Sequence, residues 1–215
     1  KFPHIDIKDL FPLVTSLRMV KSNYEVECIK EAIALTNSGI SHLLNNMRVG
    51  DYEYEVADEF EYYGKKHGAR SLAFSTIIAS GKNATCLHYP QQQERIEPNT
   101  MVLFDLGYSY KGYSGDISRT YPINGTFEGY GKLIYTAVLN CNKAVIEYSH
   151  SGITIKDLQM FTREFLKNEC VRLGLMKEDE DISQQKKKNH KRKLKFTKKK
   201  NDDEDNGEME VEEDS

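Results

Sequence analysis

Two aspartates, Asp105 and Asp116, stand in runs that otherwise favour apolar and aromatic residues. The stretch Met101–Gly125, MVLFDLGYSYKGYSGDISRTYPING, reads as two strands around a tight turn at Lys111-Gly112. With a two-residue turn there, Tyr110 pairs with Tyr113 and Asp116 falls opposite Gly107. Paired residues share a face, so Asp105 lies on the same face as Asp116, diagonal to it and roughly 7–8 Å away at the backbone. Gly107 leaves the space between them empty. Lys-Gly is a poorer two-residue turn than Asn-Gly, and a three-residue loop would put the acids on opposite faces. Two carboxylates converging on a partly buried face repel unless a proton or a cation lies between them. A pair of metal ions about 3.5–4 Å apart needs carboxylates so arranged. Without such a role, an aspartate in a strand is most often an edge or turn residue.

Elements must hold this hairpin. Residues 1–16 read as a lead-in segment, with the basic, apolar Leu17-Arg18-Met19-Val20-Lys21 docking on the domain that follows. Ser22 and Glu25 form a capping-box pattern, and Ile29, Ile33, Ile40, Leu43, Leu44 and Met47 follow at helical spacing. Asp51 caps a second helix, with Val56, Phe60 and Tyr63 inward and Gly68 as its stop. SLAFSTIIAS (71–80) reads as one strand. His88, Tyr89 and Pro90 sit in an irregular segment, and QQQERIEPN is a polar loop. A helix over about 130–149 turns Ile134, Val138, Val145 and Ile146 inward. Thr154 and Asp157 cap a last helix carrying Leu158, Phe161, Phe165, Val171 and Leu173. The order is helix, helix, antiparallel strands, helix, helix, an α+β arrangement. The last two helices have wide apolar faces and no sheet of their own to cover, which points to a missing part of the fold.

Composition divides the 215-residue chain near Met176. Of 30 basic and 33 acidic residues, 11 and 13 lie beyond it, so the preceding part is near neutral. That balance argues for neither a nucleic-acid nor a membrane partner. Residues 177–215 form a low-complexity charged tail or insertion. Its lysine run at 186–200 fits a localisation or RNA-binding patch, but reads more simply as a solvated insert flanked by compensating acids. Cys28, Cys86, Cys141 and Cys170 show no paired spacing and read as reduced core residues of a cytoplasmic protein. No apolar run reaches membrane-spanning length.

Ser80-Gly81-Lys82-Asn83-Ala84-Thr85-Cys86-Leu87-His88-Tyr89 resembles the SGxNxxxxHY segment of Xaa-Pro peptidases. Phe104-Asp105-Leu106-Gly107, and Gly115-Asp116-Ile117-Ser118-Arg119-Thr120-Tyr121-Pro122-Ile123-Asn124-Gly125, are similar to their first metal-binding stretch. The family is the pita-bread-fold metallopeptidases. Aminopeptidase P is the nearest branch and prolidase the next, and the likeness spans residues 17–176. The resemblance implies a partial pita-bread fold, a dinuclear metal site and hydrolysis of the bond before a proline at the second position of a peptide. It implies that Asp105 binds one metal, that Asp116 bridges two, and that His88 contacts the substrate or shuttles a proton. On its own His88 would read as a structural or surface residue. Carboxylates suit Mn²⁺, with Zn²⁺ or Co²⁺ as alternatives. Arg119 is expected to brace the hairpin through a buried ion pair. His42 and His67 are expected at the surface, and Tyr108, Tyr110 and Tyr113 in sheet packing.

The departure from the family is in the ligand set. Such sites take five protein ligands, and the implied His and two Glu would follow the second helix pair, where the charged tail stands here. Either the chain is a piece of a longer enzyme or it is a degenerate member; the retained Asp105, Asp116 and His88 favour the first. The chain alone is then expected to be inactive, and a homodimer is an open arrangement for a longer form. A non-catalytic pita-bread binding module is the alternative from another class, and a prolidase-type dipeptidase the alternative within this one.

Overall fold

Ser22 starts the long helix against which the sheet packs. In the computed structural model, which describes residues 8–177, Ser22 Oγ accepts from the Glu25 amide and the Glu25 carboxylate accepts from the Ser22 amide at 2.7 Å. This reciprocal cap opens α2 (Asn23–Asn46). Ahead of it runs α1 (Phe11–Met19), a short helix with no buried residue, where only a lead-in was expected. Expectations for residues 1–7, and for the tail from 178 onward, lie outside the described residues.

The face that α2 buries keeps the expected Ile40 and Leu43, but small residues complete it in place of Ile33 and Leu44. Cys28, Ala32, Thr36, Gly39, Ile40 and Leu43 are buried, while Ile33 and Leu44 are exposed. Small residues face the sheet because the backbones approach closely. A Cβ on Gly115 would lie 2.5 Å from the Ala32 carbonyl oxygen, and one on Gly39 would meet the Phe60 ring at 2.6 Å.

The second helix, α3 (Glu53–Lys66), is capped differently from expectation. The Glu55 carboxylate accepts from the Tyr52 amide at 2.8 Å, while Asp51 closes the preceding turn by accepting from the Arg48 amide at 2.7 Å. Val56 and Phe60 are buried as expected.

The expected single strand over 71–80 is two strands. β1 (Ser71–Leu72) and β2 (Ile77–Ser80) pair in succession with β3 (Met101–Tyr110). Residues 73–76 between them bulge out of the ladder. β4 (Tyr113–Pro122) pairs antiparallel with the whole of β3. Val102, Phe104, Leu106 and Tyr108 form the buried face of β3, in one core with Phe60, Ile78 and Ile96. The Tyr108 ring stacks on Phe60 at 4.1 Å, and its hydroxyl donates to the Phe60 carbonyl. Burial pushes that hydroxyl's pKa far above its usual range.

A hydroxyl from α2 is built into the sheet. Thr36 Oγ1 accepts from the Tyr108 amide at 3.0 Å and lies 3.0 Å from the Gly115 carbonyl oxygen. Tyr108 and Gly115 are themselves paired across the hairpin. The side chain thus gives the Tyr108 amide an acceptor, and its single hydroxyl proton is shared between the Ala32 carbonyl, at 2.9 Å, and the Gly115 carbonyl.

Among the described residues, those up to Glu128 form one compact unit and those from Gly129 another. In the second, α4 (Gly129–Tyr148) packs on α5 (Ile155–Arg172). Its buried residues are Ala137 and Cys141, while the expected Ile134, Val138 and Ile146 are exposed. Tyr148 stacks on Phe161 at 4.4 Å. Among the described residues no helix is long and apolar enough to cross a membrane. All four cysteines are free, but Cys86 is exposed and is no core residue.

Candidate active site

The turn between β3 and β4 settles which face the acids share. Lys111 has φ +50° and Gly112 φ +85°, the left-handed pair that a two-residue hairpin turn of the favoured twist requires. Tyr110 therefore pairs with Tyr113 and Gly107 with Asp116. Asp105 and Asp116 lie on the same face of the sheet, opposite α2 and α3. That face is more open than expected: Asp105 is half-buried and Asp116 exposed.

Asp105 pairs directly with Ser118, whose hydroxyl donates to Asp105 Oδ1 at 2.8 Å. Ser118 follows from the same register, so the turn assignment was the signal that could have found it. Arg119 does not form the expected buried ion pair. It is exposed, and its guanidinium donates to the Ser118 carbonyl at 2.7 Å.

His88 reaches the same place from a different element. It follows the 3-10 turn Gly81–Thr85 at the end of β2 and has φ +54°. A cleft of about 550 Å³ is lined by His88, Asp105 and Asp116 together, with Phe74 from the bulge and Tyr89 on its walls. All three residues expected to do chemistry thus meet in one cavity. The other histidines among the described residues do not. His42 is half-buried rather than at the surface, its Nε2 2.6 Å from Glu59 Oε1. His67 is exposed and stacks on Tyr63.

The residue missed is Glu53. It is fully buried and accepts from the Ser80 amide, the Ser80 hydroxyl, the Asn83 side chain and the Glu94 amide. Burial first, then contact with Glu53, raises the Tyr89 hydroxyl pKa. The segment over 92–96, expected to be a polar loop, lies along residues 50–54. Glu53 and Tyr54 amides donate to the Glu94 and Gln92 carbonyls, and the Ile96 amide to the Asp51 carbonyl.

The donor set fits a hard or intermediate divalent ion. It offers two carboxylates on one open face, one of them oriented by a hydroxyl, and beside them a buried Thr76 hydroxyl with no hydrogen-bond partner among the described residues. The set is partial, since among those residues no three His, Cys, Asp or Glu side chains come together to hold a metal.

The hairpin thus carries two aspartates on one face, and the loop of His88 lines the same cleft. The chain belongs to metallopeptidase family M24, whose pattern it matches over residues 27–195. It is 32% identical over 173 residues to the Xaa-Pro aminopeptidase of Escherichia coli, covering 80% of this chain and 39% of that protein. It is 33% identical over 162 residues to the Xaa-Pro dipeptidase of Pyrococcus furiosus, covering 75% of this chain and 46% of that protein. A Bacillus anthracis structure described as an aminopeptidase P superposes with a TM-score of 0.80 at 40% identity, over 86% of this chain and 44% of that one. The mixed helix and antiparallel-sheet architecture is that of the pita-bread fold. The chain spans less than half the length of these relatives.

Proposed function

We propose that the cleft is part of the active site of a dinuclear-metal Xaa-Pro aminopeptidase. The single observation that carries this reading is the meeting of His88, Asp105 and Asp116 in one cavity. Asp105, its carboxylate oriented by Ser118, would hold one ion, and Asp116 would lie between two. Mn²⁺ suits these oxygen donors best, with Zn²⁺ and Co²⁺ as alternatives. When bound, such ions supply an activated water and positive charge for the developing oxyanion. His88, which lines the same cleft, would contact the peptide or carry a proton at the scissile bond. The resemblance implies a His and two Glu as the remaining donors; with these supplied only in a longer form, the 215-residue chain alone would be inactive.

The test is hydrolysis of an Xaa-Pro-Xaa peptide with Mn²⁺. A longer form of the protein continuing past Ser215 should cleave it, and Asp116→Ala should abolish cleavage. Cleavage by the 215-residue chain itself, lost in Asp116→Ala, would overturn the partial-site reading. No cleavage by the longer form would overturn the enzymatic one. The dipeptidase reading draws support from the similar identity to the Pyrococcus relative; cleavage of the Xaa-Pro dipeptide in preference to the tripeptide would select it.

A further inference from the structure

Glu53 opens α3 in full burial, where an unpartnered carboxylate is strongly disfavoured. Four donors converge on it. Oε1 accepts from the Ser80 amide at 2.7 Å, the Ser80 hydroxyl at 2.7 Å and the Asn83 side-chain amide at 3.1 Å. Oε2 accepts from the Glu94 amide at 3.3 Å. These donors come from the two ends of segment 80–94, and His88-Tyr89-Pro90 lies between them.

One carboxylate therefore closes the base of the loop that forms a wall of the cleft. Gln92 adds a second tie at the edge of β2. Its side chain accepts from the Ile78 amide at 3.0 Å and donates to the Thr76 carbonyl at 2.9 Å, standing in for a missing strand. The loop needs such fixing, because His88 holds a left-handed backbone, with φ +54°. A non-glycine residue keeps that conformation only where its surroundings impose it.

We propose that Glu53 is a positioning residue of the cleft: by pinning both ends of segment 80–94, it sets where His88 stands relative to Asp105 and Asp116. This rests on the proposed peptidase reading only for what the positioned His88 does.

Hydrogen exchange read by mass spectrometry on the 215-residue chain tests the pinning without any need for activity. Glu53→Ala should speed exchange by about tenfold or more over both 78–83 and 92–96. Glu53→Gln should divide the two ends. It keeps an oxygen for Ser80 and Asn83 but turns an NH₂ toward the Glu94 amide, so only 92–96 should loosen. Val56→Ala, a buried change on the same helix, controls for general destabilisation and should spare both ends. Unchanged exchange in Glu53→Gln, equal loosening of its two ends, or the same pattern in Val56→Ala would overturn the proposal. Mn²⁺ broadening of the His88 ring signals gives a readout that general stability does not move. It should fall several-fold in Glu53→Gln while Mn²⁺ affinity holds, and undiminished broadening would overturn the proposal. If the unsubstituted chain binds no Mn²⁺, the metal reading of the cleft fails and the exchange pattern alone decides the positioning role.

Discussion

Gly107 stands directly opposite Asp116 across the β3–β4 hairpin, and a Cβ at position 107 would lie 2.4 Å from the Gly115 carbonyl oxygen and 3.3 Å from the Ala73 Cβ. The expectation of empty space between the two aspartates thus needs correcting. The glycine is required by the neighbouring strand's own backbone, which pinches in where Thr36 enters the ladder. Asp105 and Asp116 keep their places because the hairpin can close tightly at this point.

Gly107→Ala should therefore push β4 away from β3. The expected loss of stability is about 1–3 kcal/mol, the usual range for overpacking a filled site, read by urea unfolding. A stability unchanged within error would mean that the pinch at Gly115 relaxes freely.

Thr36→Val removes the hydroxyl that serves the Tyr108 amide and the Gly115 carbonyl while keeping the side-chain shape. Both residues are buried, so the Tyr108 amide loses its acceptor and the Gly115 and Ala32 carbonyls lose the hydroxyl proton they share. A loss of about 1–3 kcal/mol is expected, with Thr36→Ser retaining most of the stability. A larger loss in Thr36→Ser than in Thr36→Val would show that the methyl group, not the hydroxyl, matters.

The cap of α5 gives a pH dependence with a definite sign. The Asp157 carboxylate accepts from the Thr154 hydroxyl at 2.6 Å and the Thr154 amide at 3.1 Å. These bonds, the hydroxyl's first, hold its pKa below the usual aspartate value. The folded pKa is depressed, so the stabilisation is complete above the unfolded value of about 3.9 and is lost as pH falls through the folded value. Far-ultraviolet circular dichroism should show helix loss in that acid range, and Asp157→Asn should flatten it. An identical acid profile in the variant would contradict this assignment.

The hairpin and both acids were legible in the sequence because a period-2 pattern and a Lys-Gly turn fix the register locally. The reciprocal caps at Ser22 and Thr154 were legible for the same reason. The break between Leu72 and Ile77 was not, since SLAFSTIIAS has uniform strand propensity and the bulge arises from pairing with β3 and from the Gln92 side chain. The buried face of α2 was read in part: Ile40 and Leu43 are buried as expected, but close backbone approach favours Ala32 and Gly39 over the larger Ile33; on α4, Ala137 is buried and Val138 exposed. Glu53 resembled any acid in a helix's first turn. Its role depends on Ser80, Asn83 and Glu94, distant in sequence, which no local pattern reveals.

The central claim is that Asp105 and Asp116 together offer a divalent-ion site. The direct measurement is a Mn²⁺ titration of the purified 215-residue chain, followed by electron paramagnetic resonance, with Asp116→Ala and the double Asp105→Ala, Asp116→Ala variant beside it. Asp116 is exposed, so its removal should leave folding intact. Weak, saturable binding is expected, falling about tenfold in Asp116→Ala, a difference of about 1.4 kcal/mol, and vanishing in the double variant. Mn²⁺ binding of equal strength in all three proteins would contradict the claim.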